Sequence, residues 1–212
     1  MSRILADFLY IGAGAALTLK VLCGSILLGW GLGILFAVAR QCRMYRFFVS
    51  GIVSVIRGTP LVLQLSVVYF VVPQLCGCKL DIISTGIIAF GINSAAYVSE
   101  VLRAGIESLP KGQFEAAQSL SIPKFYAWRD IILPQVMMNI LPALINETVT
   151  LLKETALIAT IGGMDIMRRS QVIAAEQYEY FVPLCTAAVV YYILVLAVEF
   201  IGRKIEERRI KC

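Results

Sequence analysis

Nineteen consecutive residues, Val21 to Ala39, carry no charge. As a helix rising 1.5 Å per residue, this run reaches roughly 28 Å, about the thickness of a bilayer's hydrocarbon core. Few folds accommodate such a segment, and a membrane span is the simplest. A second uncharged run, Phe181 to Val198, repeats the signal. The whole chain agrees: 59% of its 212 residues are hydrophobic, 16% are charged, and the mean hydropathy is +0.81. A soluble domain would carry about a quarter charged residues.

The rest of the chain divides into further apolar runs. A span from about Phe47 to Val72 is interrupted by Arg57-Gly58-Thr59-Pro60, and Pro73 and Gly77 mark the loop after it. A third runs from Ile82 to about Ser108 and ends before Pro110. A polar stretch, 111–130, follows. A fourth span is expected from about Pro134 to Ile161, bent at Pro142 and closed by Gly162-Gly163. Met164 to Tyr180 is amphipathic and reads as an extramembrane helix, and a basic polar tail follows Arg203. Gly24, Gly29, Gly31 and Gly33 would let another helix approach the first span closely. The N-terminal residues, Met1 to Asp7, lack the basic region and cleavage site of a signal peptide, so the first span is expected to stay as an anchor. The expected class is therefore an all-α integral membrane protein with five transmembrane helices and a single domain over 1–212.

Charge orients these spans. Arg40, Arg43, Arg46, Arg103, Lys111, Lys124, Arg129, Arg203, Lys204, Arg208, Arg209 and Lys211 fall on one side. Only Arg3, Lys79, Arg168 and Arg169 fall on the other. Twelve against four puts the first set in the cytoplasm, with the N-terminus outside and the C-terminus inside. The net charge of +5 is spread between spans rather than gathered in a patch, which argues against nucleic acid as a partner. The six cysteines form neither a disulfide framework nor a metal site: Cys23 and Cys185 lie in apolar runs as packing residues, Cys76 and Cys78 flank one glycine, and there is no His. No metal and no bound cofactor are expected.

Ionisable residues at membrane depth are costly and demand a reason. On the fourth span Asn146, Glu147, Thr150, Lys153 and Glu154 share an arc of about 120°. On the third, Asn93, Tyr97, Glu100, Arg103 and Glu107 do the same, and Glu100 and Arg103 stand three apart, within pairing reach. Two readings stand. These residues glue helices together through buried ion pairs, or they line a water-filled path that contacts a charged solute. Polar faces on two spans have little use in a scaffold, but the faces alone do not separate a channel, a secondary transporter and an ATP-driven permease.

The polar stretch narrows the choice. It reads Lys111-Gly112-Gln113-Phe114-Glu115-Ala116-Ala117-Gln118-Ser119-Leu120-Ser121-Ile122-Pro123 and continues to Ile131-Ile132-Leu133-Pro134. Gly112 and Gln113 are expected to open a short helix after Pro110, with Glu115 in its first turn and small Ala116 and Ala117 free to enter a partner's cleft; Pro123 would start a second helix. The spacing resembles the EAA loop of ABC importer permeases, with Ser121 where that family usually has Gly. Arg57-Gly58-Thr59-Pro60, Asn93 to Arg103, and Pro142 to Leu157 are similar to segments of the polar amino acid uptake permeases; here Glu154 replaces the usual Asp and Ala156 the usual Ser. The likeness extends over about Gly12 to Arg209.

That resemblance implies a division of labour. It implies a multi-pass chain in a bacterial inner membrane, with a second permease subunit, identical or related, two ATPase subunits beneath, and an extracytoplasmic solute-binding protein. Loop 111–130 would couple to the ATPases through Gln113, Glu115, Ala116, Ala117, Ser121 and Pro123. The solute path would draw on Asn93, Tyr97, Glu100, Asn146, Glu147, Thr150, Lys153 and Glu154. The chain has no Gly-x-x-x-x-Gly-Lys-Ser/Thr phosphate loop and no nucleophile–base constellation, so it is expected to be a transport subunit and not an enzyme, with ATP used by its partners. If the turn at Ser121 needs a positive φ, serine there costs about 1 kcal/mol or more.

Overall fold

The computed structural model describes the backbone of residues 2–210 and the side chains of residues 4–207. Arg3, Arg208, Arg209, Lys211 and Cys212 lie outside the described side chains. Among the described residues every regular element is helical. They are α1 (Ser2–Gly12), α2 (Ala15–Ala39), α3 (Arg43–Gly58), α4 (Leu61–Ser66), α5 (Val72–Cys76), α6 (Ile82–Glu107), α7 (Lys111–Ser119), α8 (Lys124–Tyr126), α9 (Leu133–Glu154), α10 (Ile166–Gln177) and α11 (Phe181–Ile210). A π-helical stretch, Val67–Val71, joins α4 to α5; another, Ala127–Ile132, joins α8 to α9; a 3₁₀ stretch, Thr155–Ile161, extends α9.

Three segments are long and apolar enough on their own to cross a bilayer: Ile4–Ala39, Ile82–Glu107 and Phe181–Glu207. Arg43–Gly58 and Leu61–Cys76 would together make a fourth, but they meet at 103°. The interruption expected at Arg57-Gly58-Thr59-Pro60 is thus a sharp corner within the Phe47 to Val72 segment. The corner has a local cause. Pro60 lacks the N–H to continue α3 and pushes Thr59 into extended backbone (φ −113°, ψ 144°). Gln64 then satisfies the orphaned end of α3: its Nε2 donates to the carbonyl of Ile56 (2.7 Å) and to Thr59 Oγ1 (2.9 Å).

Other boundaries also moved. The first span begins earlier than Val21, because α1 and α2 run on with only a turn at Ala13–Gly14 between them. The second half of the polar stretch is helical and feeds α9. Within the basic tail, the described backbone to Ile210 continues α11. Gly31 faces open space, whereas Gly29 and Gly33 do bring helices together. A Cβ at Gly29 would meet Ser94 at 2.8 Å, and one at Gly33 would meet Val98 at 2.7 Å. This close seam makes α2 against α6 the most extensive helix pair. Cys23 and Cys185 are exposed on the outer surface instead of packed inside.

α6 is the central post. Its middle is buried on nearly all sides, at Ala89, Phe90, Ala95, Ala96 and Val98. One core cluster gathers Val21, Leu22, Phe90, Leu151, Leu152 and Ile158 from α2, α6, α9 and the 3₁₀ stretch. A second joins α6 to α9 through Val98, Leu109, Ile132, Val136 and Ile140. The chain's exposed surface is largely apolar, as at Leu27, Leu35, Val189 and Phe200, which is how a lipid-facing surface reads. Asp165 locks the opposite end. Fully buried, it accepts from the Arg168 N–H at 2.8 Å, capping α10, and from Tyr191 Oη of α11 at 3.0 Å. Burial raises its carboxyl above the ordinary aspartate range.

Candidate functional site: a coupling loop and two polar faces

The loop after α6 builds a short exposed helix with a defined stop. α7 starts at Lys111, directly after Pro110. Its first turn holds no acid, so Glu115 stands one turn further in than the sequence suggested. The helix ends in a Schellman arrangement: Ile122 N–H donates to Ala117 O (3.0 Å) and Ser121 N–H to Gln118 O (2.9 Å). Ser121 sits at the left-handed position, with φ of 53°, where a glycine would be unstrained. Pro123 then precedes α8.

Gln113, Glu115, Ala116, Ser121 and Pro123 are exposed, but Ala117 is turned inward and is 6% exposed. Ala117 therefore shapes the loop and leaves Ala116 as the small residue on the surface. Phe114 anchors the helix against Trp128, ring edge to face at 6.2 Å. Beside these rings a hollow of about 650 Å³ opens, lined by Phe114, Ala117, Ile122, Ala127 and Trp128 among others. Phe114 also packs against the cluster of Leu109, Ile132 and Val136, which ties this exposed helix to the ends of both α6 and α9.

The polar face of α6 is a closed set of ion pairs. Glu100, whose side chain is 16% exposed, meets Arg40 at the end of α2 (2.5 Å), Arg103 on its own helix (2.7 Å) and Arg57 at the end of α3 (3.8 Å). Arg103 also holds Glu107 at 2.6 Å. Arg57 lies over the ring of Tyr97, 5.2 Å from its centroid. Arg57 of the Arg-Gly-Thr-Pro segment thus meets Tyr97 and Glu100, residues some forty positions later. Asn93 is buried above them. Gly58 and Thr59 shape the corner itself, Thr59 Oγ1 donating to Val55 O at 3.0 Å.

The polar face of α9 is the opposite case. Asn146, Thr150 and Lys153 are exposed, while Glu147 and Glu154 are half-buried. Among the described residues none of these five side chains makes a geometric hydrogen bond or ion pair. Glu147 leans toward Ser94 of α6 without closing a bond; the Ser94 hydroxyl is buried and has no partner.

Two contributors were missed from sequence. Arg40 looked like one of many cytoplasmic charges, and nothing in the pattern singled it out as the partner of Glu100. Gln64 was the only polar side chain in Leu61 to Leu65, a weak signal that it caps something.

Comparison with known proteins gives this assembly of features its class. The family of binding-protein-dependent transport system inner membrane components matches residues 29–211. The chain belongs to that family. It is 47% identical over 203 residues to a Rickettsia conorii protein provisionally named glutamine transport system permease protein GlnP, covering 95% of this chain and 93% of that one. It is 44% identical over 201 residues to the arginine transport system permease protein ArtQ of Bacillus subtilis, covering 94% and 92%. Among solved structures, an amino acid ABC transporter determined with histidines shares 34% identity at a TM-score of 0.87, over 98% of this chain and 96% of that one. The inward-facing MetNI methionine ABC transporter, at 20% identity and a TM-score of 0.72, shares the fold. The all-helical architecture is that of the type I ABC importer permeases.

Proposed function

We propose that this chain is the membrane-spanning permease subunit of an ATP-driven importer that moves a polar amino acid across a bacterial cytoplasmic membrane. The observation that carries the reading is the exposed coupling helix α7, with its complete motif spacing and its rigid tie to α6 and α9. Family membership and the relatives' names for glutamine and arginine transport support the solute class.

In this reading 1–212 is one permease domain crossing the membrane five times. The crossings are α2, the bent α3–α5 pair, α6, α9 with its flanking helical turns, and α11. α9 is too polar to qualify on composition, but its place between the cytoplasmic loop and α10 requires it to cross. The charge bias then sets the N-terminus outside and the C-terminus inside. Exposed Asn146, Thr150 and Lys153 cannot face hydrocarbon cheaply, so this side of α9 meets a second permease subunit across a hydrated path. Glu147 and Glu154 attract the solute's ammonium or cationic group, and Lys153 its carboxylate. Asn93 and Tyr97 border the path from α6, with Glu100 holding that wall in place.

Work comes from outside the chain. Two ATPase subunits bind and hydrolyse ATP beneath α7, an extracytoplasmic binding protein delivers the solute, and the chain itself holds no cofactor. Gln113, Glu115, Ala116 and the turn at Ser121–Pro123 take the ATPase stroke, and the spans rock around the path by alternating access. The test is Glu115→Lys in the reconstituted importer. Reversing the charge opposes the partner contact, so ATP-driven uptake should vanish while membrane insertion persists. Normal uptake would remove the coupling role. Reporters fused after Lys111 and within 166–177 should read cytoplasmic and external respectively; two cytoplasmic signals would remove the five-span topology. Stimulation of ATPase activity by glutamine, arginine and histidine in turn identifies the solute.

A further inference from the structure

Where α2, α3 and α6 meet, the chain holds a cavity of about 690 Å³ that the transport cycle above does not use. Arg40, Arg43, Arg46 and Arg103 line it, with Glu107 the one acid among the lining residues. Two of these arginines are fixed by the Glu100 and Glu107 pairs. The side chains of the other two, Arg43 and Arg46, make no ion pair or hydrogen bond among the described residues. Nor do they serve their own helix: they stand in the opening residues of α3, where the positive end of the helix dipole disfavours cations.

The same helix exposes Met44, Phe47 and Phe48 at 75%, 92% and 68%. Side chains of that size and polarity belong in hydrocarbon, so the opening turns of α3 lie at the membrane boundary, with Phe47 and Phe48 toward the acyl region and Arg43 and Arg46 at headgroup level. An occupant that satisfies both features carries an anionic group and acyl chains together. A free phosphate would satisfy the guanidiniums and leave Phe47 and Phe48 bare. An acidic side chain of a docked ATPase would do the same.

We propose that this cavity seats the headgroup of an anionic phospholipid, its phosphate held by Arg43 and Arg46 against the fixed pair Arg40 and Arg103, and its chains lying along the apolar face of α3. Guanidinium forks match phosphate oxygens, and excess positive charge selects a net-negative lipid over a zwitterionic one. The proposal rests on the cytoplasmic placement of this end of α2 argued above.

The probe is native mass spectrometry of the full chain in its purified complex, exchanged into an equal mixture of phosphatidylglycerol and phosphatidylcholine. The wild type should retain phosphatidylglycerol in preference. Arg43→Gln with Arg46→Gln should weaken that retention roughly thirtyfold, taking each basic residue near an anionic surface at its usual worth. Arg43→Lys with Arg46→Lys should keep most of it. Equal retention of the two lipids by the wild type overturns the proposal, and this arm needs no variant to fold. Displacement by inorganic phosphate alone would make the cavity a phosphate site and overturn the lipid assignment. Unchanged lipid retention in the glutamine variant, with weakened ATPase association, would assign the cavity to the ATPase. An Arg43→Cys variant in a chain without other cysteines, labelled by an impermeant reagent, tests orientation separately. Labelling from outside only, with lipid preference intact, would overturn the topology and leave the headgroup site standing.

Discussion

The polar faces of α6 and α9 look alike in sequence and differ completely in the folded chain. Each places about five polar residues in one arc of an otherwise apolar helix. On α6 the carboxylate of Glu100 is met by three guanidiniums from α2, α3 and its own helix. On α9 two carboxylates and an ammonium find no partner among the described residues. One face is a clasp that fastens three helices. The other is open chemistry, two acids and an amine left without a partner among the described residues. A charge arc along a helix therefore does not indicate function until its partners are located.

Substitutions can break that contrast, and the largest effect is expected at the clasp. Glu100→Gln leaves Arg40 and Arg57 facing each other without their acid. Removing one partner of a mostly buried pair costs about 3 kcal/mol. Thermal melting and yield of the purified complex should fall, and uptake of every solute should fall alike. A variant that melts like the wild type would show the network to be ornamental.

Glu147→Gln should behave in the reverse way. It strands no cation, so yield and melting should hold. Losing one solute contact of roughly 1.4 kcal/mol should change the ranking of arginine against glutamine by about tenfold. A uniform fall in yield with the ranking intact would move Glu147 to the structural side and end the contrast.

Asp165 is an intermediate case, an acid buried among neutral donors. Burial raises its carboxyl, so its favourable contribution is largest below the unfolded aspartate value and fades as pH rises through the higher folded value. Asp165→Asn keeps a cap acceptor without the charge and should flatten this pH dependence. Asp165→Ala leaves the Arg168 N–H and Tyr191 hydroxyl unpaired and should cost about 2 kcal/mol at low pH, the difference from wild type shrinking as pH rises through the folded value. Melting curves across a pH series distinguish them; a wild type whose stability rises with pH over that window would contradict the assignment.

The smallest effect tests backbone rather than charge. Ser121→Gly should raise stability by about 1 kcal/mol, because the left-handed conformation at φ 53° strains serine and suits glycine. Unchanged or lower melting would show that the serine side chain contributes something the backbone does not reveal.

Much of this was written in the order of residues. Uncharged runs long enough to cross a bilayer are costly anywhere else, so Val21 to Ala39 and Phe181 to Val198 announced helices before any contact was known. The loop after α6 was equally local: Pro110, the alanines, Ser121 and Pro123 start and stop α7 and α8 through their own backbone preferences, and even the conditional strain at Ser121 could be stated in advance. Its inward Ala117 could not, because which side of so short a helix packs is set by Phe114 and Trp128 together. The 103° corner needed Gln64 to reach back to Ile56, and the clasp needed Arg40, Arg57 and Glu100 to converge from three helices. Local sequence fixes backbone propensity and the polarity of each face. Only tertiary structure decides which charges find partners, because that depends on how separate helices are brought within a few ångströms of one another.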